Sequence, residues 1–104
     1  MEIVVTGRHG VAPELREYAQ LKVANVARIF ERVTSASVIL ESRGAVAHAE
    51  ASVHVPHGPV LVARAEGVEM RAALDVLEDR LMSQARKLKK RLDDRRKSPG
   101  RGAA

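Results

Sequence analysis

Ala47-His48-Ala49-Glu50-Ala51-Ser52-Val53-His54-Val55 alternates strictly between small apolar and mostly polar side chains. A period of two puts Ala47, Ala49, Ala51, Val53 and Val55 on one face and His48, Glu50, Ser52 and His54 on the other. That is a strand covered on one side and wet on the other. Its inner face is largely alanine, so the covering layer can approach closely. Downstream, Pro56-His57-Gly58-Pro59 reads as a hairpin connection. Val60–Glu66 is the next strand, with Leu61, Ala63 and Ala65 inward. Upstream, Ser35–Ser42 alternates with Ala36, Val38 and Leu40 on one face, and Arg43-Gly44 marks the turn.

Helices and a further strand flank these three. Glu2–Thr6 reads as a strand with Ile3 and Val5 on one face, broken by Gly7-Arg8-His9-Gly10. Pro13 suits the first turn of a helix, where its missing N–H costs nothing. Leu15, Ala19, Val26 and Phe30 then mark an amphipathic helix ending near Arg32. After Gly67 a second helix is expected from about Val68 to about Leu92, because Met70, Leu74, Leu77, Leu81, Ala85, Leu88 and Leu92 recur at threes and fours. The order β-α-β-β-β-α gives an α+β domain, a four-stranded sheet with two helices packed on one face. Residues 1–92 form that domain, and 93–104 are expected to be a basic flexible tail.

Composition narrows the chemistry. The chain has 104 residues, 45% of them apolar, enough for one small domain. Tyr18 and Phe30 are its only aromatics, which argues against stacking several bases on rings. With no cysteine, disulfides and thiolate metal sites are excluded, and a cytoplasmic location is expected. The N-terminus lacks the basic and long apolar regions of a signal peptide, and no apolar run approaches the roughly 20 residues of a membrane span. Net charge is +5, unevenly spread. Residues 1–85 carry 9 Lys/Arg against 11 Asp/Glu, while 86–104 carry 9 against 2. Such an end suits a polyanion.

On the second helix, at about 100° per residue, Arg80, Gln84, Lys87 and Arg91 fall on a stripe beside the apolar seam. Arg86, Lys89 and Lys90 cover the remaining directions near its end. At about 25 residues the helix is about 37 Å long, against a domain slightly over 30 Å across, so its last turns should overhang the sheet. A few basic residues there would merely complement the helix dipole; eight among residues 86–97 exceed that need. On the first helix, Lys22 falls inside the apolar arc. Such a break in the pattern marks either a functional site or a snorkelling stem with its ammonium in water.

With these residues in view, the sequence resembles the ribosome hibernation-promoting factors, also called ribosome-associated translation inhibitors, over nearly all of residues 1–92. Gly7-Arg8-His9 resembles that family's Gly-Arg-Asn turn. Pro13-Glu14-Leu15 through Lys22 resembles its first helix, with a Lys or Arg where Lys22 stands, and Pro56-His57-Gly58 its turn before the last strand. Glu69-Met70-Arg71-Ala72-Ala73-Leu74-Asp75 resembles an acidic-Leu-Tyr-x-Ala-Ile-Asp signature, and Arg80-Leu81-Met82-Ser83-Gln84 through Lys87 a Lys-Leu-x-x-Gln-x-x-Lys continuation. Each motif is short; their order and spacing carry the match. Arg71 departs from the usual Tyr and His9 from the usual Asn.

The resemblance implies binding in the small-subunit decoding channel and inhibition of translation by steric occupancy. It implies rRNA contacts through Arg80, Lys87 and Arg91, with Lys22 and Arg8 nearby. Together with the basic helix end, the expected RNA-binding set is Arg8, Lys22, Arg80, Gln84, Arg86, Lys87, Lys89, Lys90 and Arg91. The small ribosomal subunit and its rRNA are the expected partners, with no cofactor, small-molecule substrate or membrane. Longer members carry a second domain that pairs ribosomes. This chain stops short of it, so binding is expected without pairing. Self-association should be weak, with the open sheet face at Val60 and Val62 as its candidate surface.

Three other readings compete. His48, His54 and His57 invite a metal, but they lack ligand spacing, and no Gly-rich phosphate loop accompanies them; an enzyme is not expected. The α-β-β-β-α portion is similar to the double-stranded RNA-binding domain, which reads A-form shape; general duplex binding is the main alternative. A membrane-surface helix would want Trp or Phe on its apolar stripe, and this one has neither.

Overall fold

A computed structural model describes the backbone of residues 2–102 and the side chains of residues 2–94. The elements follow the expected order: β1 (Glu2–Arg8), α1 (Pro13–Ile29), β2 (Ser35–Arg43), β3 (Val46–His54), β4 (Leu61–Gly67) and α2 (Met70–Gly102). In space the strands run β1-β2-β3-β4. The two hairpins pair antiparallel, while β1 and β2 pair in parallel. A parallel neighbour is out of reach of a tight turn, and α1 is the crossover that joins them.

This topology fixes directions. β1, β2 and β4 run one way, and each helix runs back against the strand before it. The helices are therefore parallel to each other, and their C-termini meet at the end of the sheet where the β3–β4 turn lies. Contacts in register agree: Tyr18 meets Asp75, and farther along Ile29 meets Lys89. α2 covers β4 and β3, and α1 covers β1.

The core lies between the two layers. Leu74, Leu77 and Leu81 of α2 and Val23 and Val26 of α1 pack with Val38, Leu40 and Val53 of the sheet, all essentially without solvent contact. Ala49, Ala51, Ala63 and Ala65 line the inner face beneath α2 and are buried as their alternation predicts.

The ends of β1, α1 and α2 differ from expectation, each for a local reason, and the other bounds shift by no more than about two residues. β1 runs on through Gly7 and Arg8, which still pair with Leu40 and Glu41; the chain turns at His9 and Gly10, with φ of 60° and 76°. α1 stops at Ile29 because Phe30 adopts extended backbone (φ −124°, ψ 94°) and tucks its ring into the core. Its burial was readable and its backbone was not. α2 passes Leu92 because no Gly or Pro interrupts the chain before Pro99; the last apolar residue is not a stop signal. Apart from Asp93 and Asp94, the tail expected over 93–104 lies outside the described side chains.

Candidate nucleic-acid interface

The parallel helices gather cations at one end of the molecule. Arg86, Lys87, Lys89, Lys90 and Arg91 are all exposed on α2. Arg28 and Arg32, from the end of α1 and just beyond, border a cavity shared with Lys89, Leu92 and Asp93. Arg32 also shares a second notch with Arg91, Leu88, Leu92 and the turn Val55–Pro59. Since Leu88 and Leu92 already lie against that turn, α2 projects beyond the sheet after them. One of these cations has an internal duty. Lys89 Nζ donates to the Ile29 carbonyl at 3.5 Å, capping one of the orphan carbonyls at the end of α1.

The stripe Arg80, Gln84, Lys87, Arg91 divides into two halves. Arg80 donates to the Arg64 carbonyl, and Gln84 Nε2 donates to the Val62 carbonyl at 2.8 Å. β4 is an edge strand, and these carbonyls point away from β3. Arg80 and Gln84 thus cover a sheet edge that would otherwise offer unpaired backbone groups. Lys87 and Arg91, one and two turns on, are exposed.

Lys22 faces α2. Its ammonium lies 3.0 Å from Asp75 and 3.2 Å from Glu78, with its side chain 19% exposed. Asn25 Nδ2 donates to Glu78 at 2.8 Å, and Tyr18 donates its hydroxyl to Asp75. The Tyr18 ring lies 5.1 Å from the Lys22 ammonium and 5.0 Å from the Arg71 guanidinium, a cation–π arrangement on both counts. So the Lys22 ammonium is neither in open water nor presented outward: it ties the helices together. The Asp75 carboxylate, more than any other group, raises the Lys22 pKa. Asp75 itself is held below the usual carboxylate range, first by the Tyr18 hydroxyl and then by Lys22.

Lys22→Met should therefore act on stability. Glu78, only 16% exposed, would keep Asn25 and lose its cation. A loss of about 1–3 kcal/mol is expected, below that of a fully buried pair. The pH dependence has a definite sign. A raised lysine pKa contributes below the unfolded value, 10.5, and persists at neutral pH. A lowered Asp75 pKa contributes above its unfolded value, 3.8, and is lost in acid. The difference between variant and wild type should thus be full at pH 7 and shrink as pH falls through and below about 4. Thermal melts of variant and wild type across that range would bear this out. A variant as stable as wild type at pH 7 would overturn the structural role.

Arg8 is not brought to the stripe. β1 carries it to the opposite end of the sheet from Arg91, because β1 and α2 run in opposite directions. There Arg8 Nη1 lies 3.6 Å from Glu41 Oε2, and Arg43 also binds this carboxylate. Chiefly the Arg43 hydrogen bond holds Glu41 below the usual carboxylate range. Across the open face Arg8, Glu41, His48 and Glu66 form one row. His48 Nδ1 lies 3.2 Å from Glu66, and Arg64 lies 3.4 Å from Glu50 in the next row. This face is charge-compensated, unlike the helix end. His48 and His54 stand six residues apart on β3, about 20 Å, too far to share a metal ion.

The sequence reading missed Arg28, Arg32 and the interhelix network. The signal for both was topological: β-α-β-β-β-α forces the helices parallel, which brings the end of α1 beside the end of α2.

The model of the family described as "Sigma 54 modulation protein / S30EA ribosomal protein" matches residues 3–93. The chain belongs to this family. Among its relatives is the ribosome hibernation promoting factor of Pseudomonas putida, 36% identical over 92 residues, covering 88% of this chain and 89% of that protein. The factor of Azotobacter vinelandii is 35% identical over 96 residues, 91% and 89% of the two chains. That of Escherichia coli K12 is 33% identical over 93 residues, 88% and 97%. Among solved structures, a ribosomal subunit interface protein from Coxiella burnetii superposes with a TM-score of 0.78 at 26% identity, covering 86% of this chain and 99% of that one. The N-terminal domain of Thermus thermophilus Protein Y gives 0.74 at 30% identity, covering 85% and 99%. The family fold is thus the four-stranded sheet with two helices described above.

Proposed function

We infer that this chain is a cytoplasmic, ribosome-associated hibernation factor that binds small-subunit rRNA in the mRNA and tRNA channel and inhibits translation by occupying it. The observation that carries this reading is the exposed basic end of α2, Arg86 to Arg91, with Arg28 and Arg32 beside it. Membership of a family whose relatives are named ribosome hibernation promoting factors supplies the partner. Phosphate contacts of this kind position a protein without reading sequence. The shape of the domain, rather than base recognition, would then select the site.

In this mechanism Lys87, Lys90 and Arg91 bind phosphates, with Arg86 and Lys89 flanking them. Arg80 and Gln84 hold α2 on the β4 edge and so aim its end. Lys22 fixes α2 against α1. No covalent step is needed. An elongated domain, 59 × 23 × 17 Å along its principal axes, excludes mRNA and tRNA from a channel it fills.

The test is sedimentation of the protein with intact ribosomes, isolated small subunits and isolated large subunits, beside an in vitro translation assay. Co-sedimentation with ribosomes and small subunits, and inhibition that saturates at one protein per ribosome, are expected. Inhibition well below stoichiometry, or cleaved rRNA, would overturn occupancy. Binding to a free RNA duplex as tight as to ribosomes would favour the general duplex-binding alternative.

A further inference from the structure

The sheet has two edges, and among the described residues only one is covered. α2 closes β4 through Arg80 and Gln84. On β1, Glu2 N–H donates towards β2, to the Thr34 carbonyl at 3.2 Å. In a parallel pair, alternate residues bond to the neighbour. Glu2, Val4, Thr6 and Arg8 therefore turn their backbone groups to β2, and Ile3, Val5 and Gly7 turn theirs outward. Val4, on the open face, is 52% exposed.

We propose that β1 is a self-association edge, pairing antiparallel with β1 of a second copy about a twofold axis through Val5. The strand Glu2-Ile3-Val4-Val5-Thr6-Gly7-Arg8 is self-complementary in that register. Val5 meets Val5 of the second copy, and Ile3 meets Gly7. These are the residues whose N–H and C=O groups point outward, so each such pair exchanges two backbone hydrogen bonds. On the open face Glu2 meets Arg8 at both ends of the ladder, and Val4 meets Thr6. Arg8 is 55% exposed beside Glu41 and is free to reach a second carboxylate. A one-residue slip would oppose inward-facing with outward-facing backbone groups, and a two-residue slip would part Glu2 from Arg8, so the two together select the register.

In the helix layer the Arg16 guanidinium lies over Gly7 at this edge. On α1, Lys22, Tyr18 and Asn25 occupy the flank towards α2. By helical position the opposite flank, above the β1 edge, carries Arg16, Gln20, Ala24 and Ala27. Two of these are alanines, which permits the close approach of a second α1. The contact is isologous and closes on itself. It also sends the two basic α2 ends in opposite directions, leaving both accessible.

Two measurements test it. In the wild-type chain, amide exchange at Ile3, Val5 and Gly7 should slow as concentration rises into the high micromolar range, while Val4 and Thr6 stay protected throughout. Sedimentation equilibrium should show a monomer–dimer system over the same range. Glu2→Arg alone sets Arg against Arg, and Arg8→Glu alone sets Glu against Glu. Each should weaken the dimer by roughly tenfold or more. Mixing the two variants restores both attractions and should restore the dimer. Wild type that stays monomeric with fast exchange at Val5, or folded single variants that dimerise like wild type, would overturn the proposal. If Arg8→Glu fails to fold beside Glu41, the wild-type exchange data decide alone.

Discussion

Changing Lys87, Lys90 and Arg91 together to glutamate should abolish ribosome binding, with affinity falling by at least about a thousandfold. Each charge-assisted contact to phosphate contributes on the order of 1.5–3 kcal/mol, and reversal adds repulsion to the loss. All three residues are exposed, and none fills the core seam of Leu81, Ala85 and Leu88. The fold should therefore survive, which circular dichroism and a thermal melt would establish before binding is measured by sedimentation. Arg80 is deliberately left intact. A carboxylate there would face the Arg64 carbonyl and uncover the β4 edge, so any loss of binding would be confounded with a loss of structure. A folded triple variant that still sediments with ribosomes would remove the end of α2 from the interface.

The contrast between Arg80 and Lys87 indicates how much of the site was legible in the sequence. Periodicity alone placed both on one stripe, and the stripe is real. Periodicity could not tell that the first half of the stripe meets an edge strand, because that depends on which strand ends the sheet. The strands themselves were clear: the alternation from Ala47 to Val55 named every buried residue of β3, and the alanines beneath α2 lie where expected. Lys22 was visible as an anomaly, but its partners Asp75 and Glu78 are more than fifty residues away. An apolar arc reveals an intruding charge and not what answers it. Arg8 was misplaced relative to the stripe for a similar reason. Adjacency between the end of β1 and the end of α2 depends on chain direction, and β1 runs away from the basic end.

Binding should also collapse with salt while the fold does not. Each phosphate neutralised contributes roughly −0.9 to the slope of log affinity against log salt on a duplex and roughly −0.7 on a single strand. With about four to six of the cations Arg86, Lys87, Lys89, Lys90, Arg91, Arg28 and Arg32 engaged, the slope should lie near −3 to −5. Raising salt about fourfold would then weaken binding by roughly two to three orders of magnitude. The same change should leave the domain folded. Its core is apolar, and the Lys22 pair with Glu78 is short and largely covered on both sides, where screening is weak. Titrating ribosomes with the protein at several salt concentrations, with a melt at each, separates the two effects. A variant lacking only Lys90 should bind more weakly and show a slope shallower by about one, because it releases one counterion fewer. A nearly flat response in the folded wild type would mean that shape complementarity carries binding, and that the cations at the end of α2 answer only their own helix dipoles.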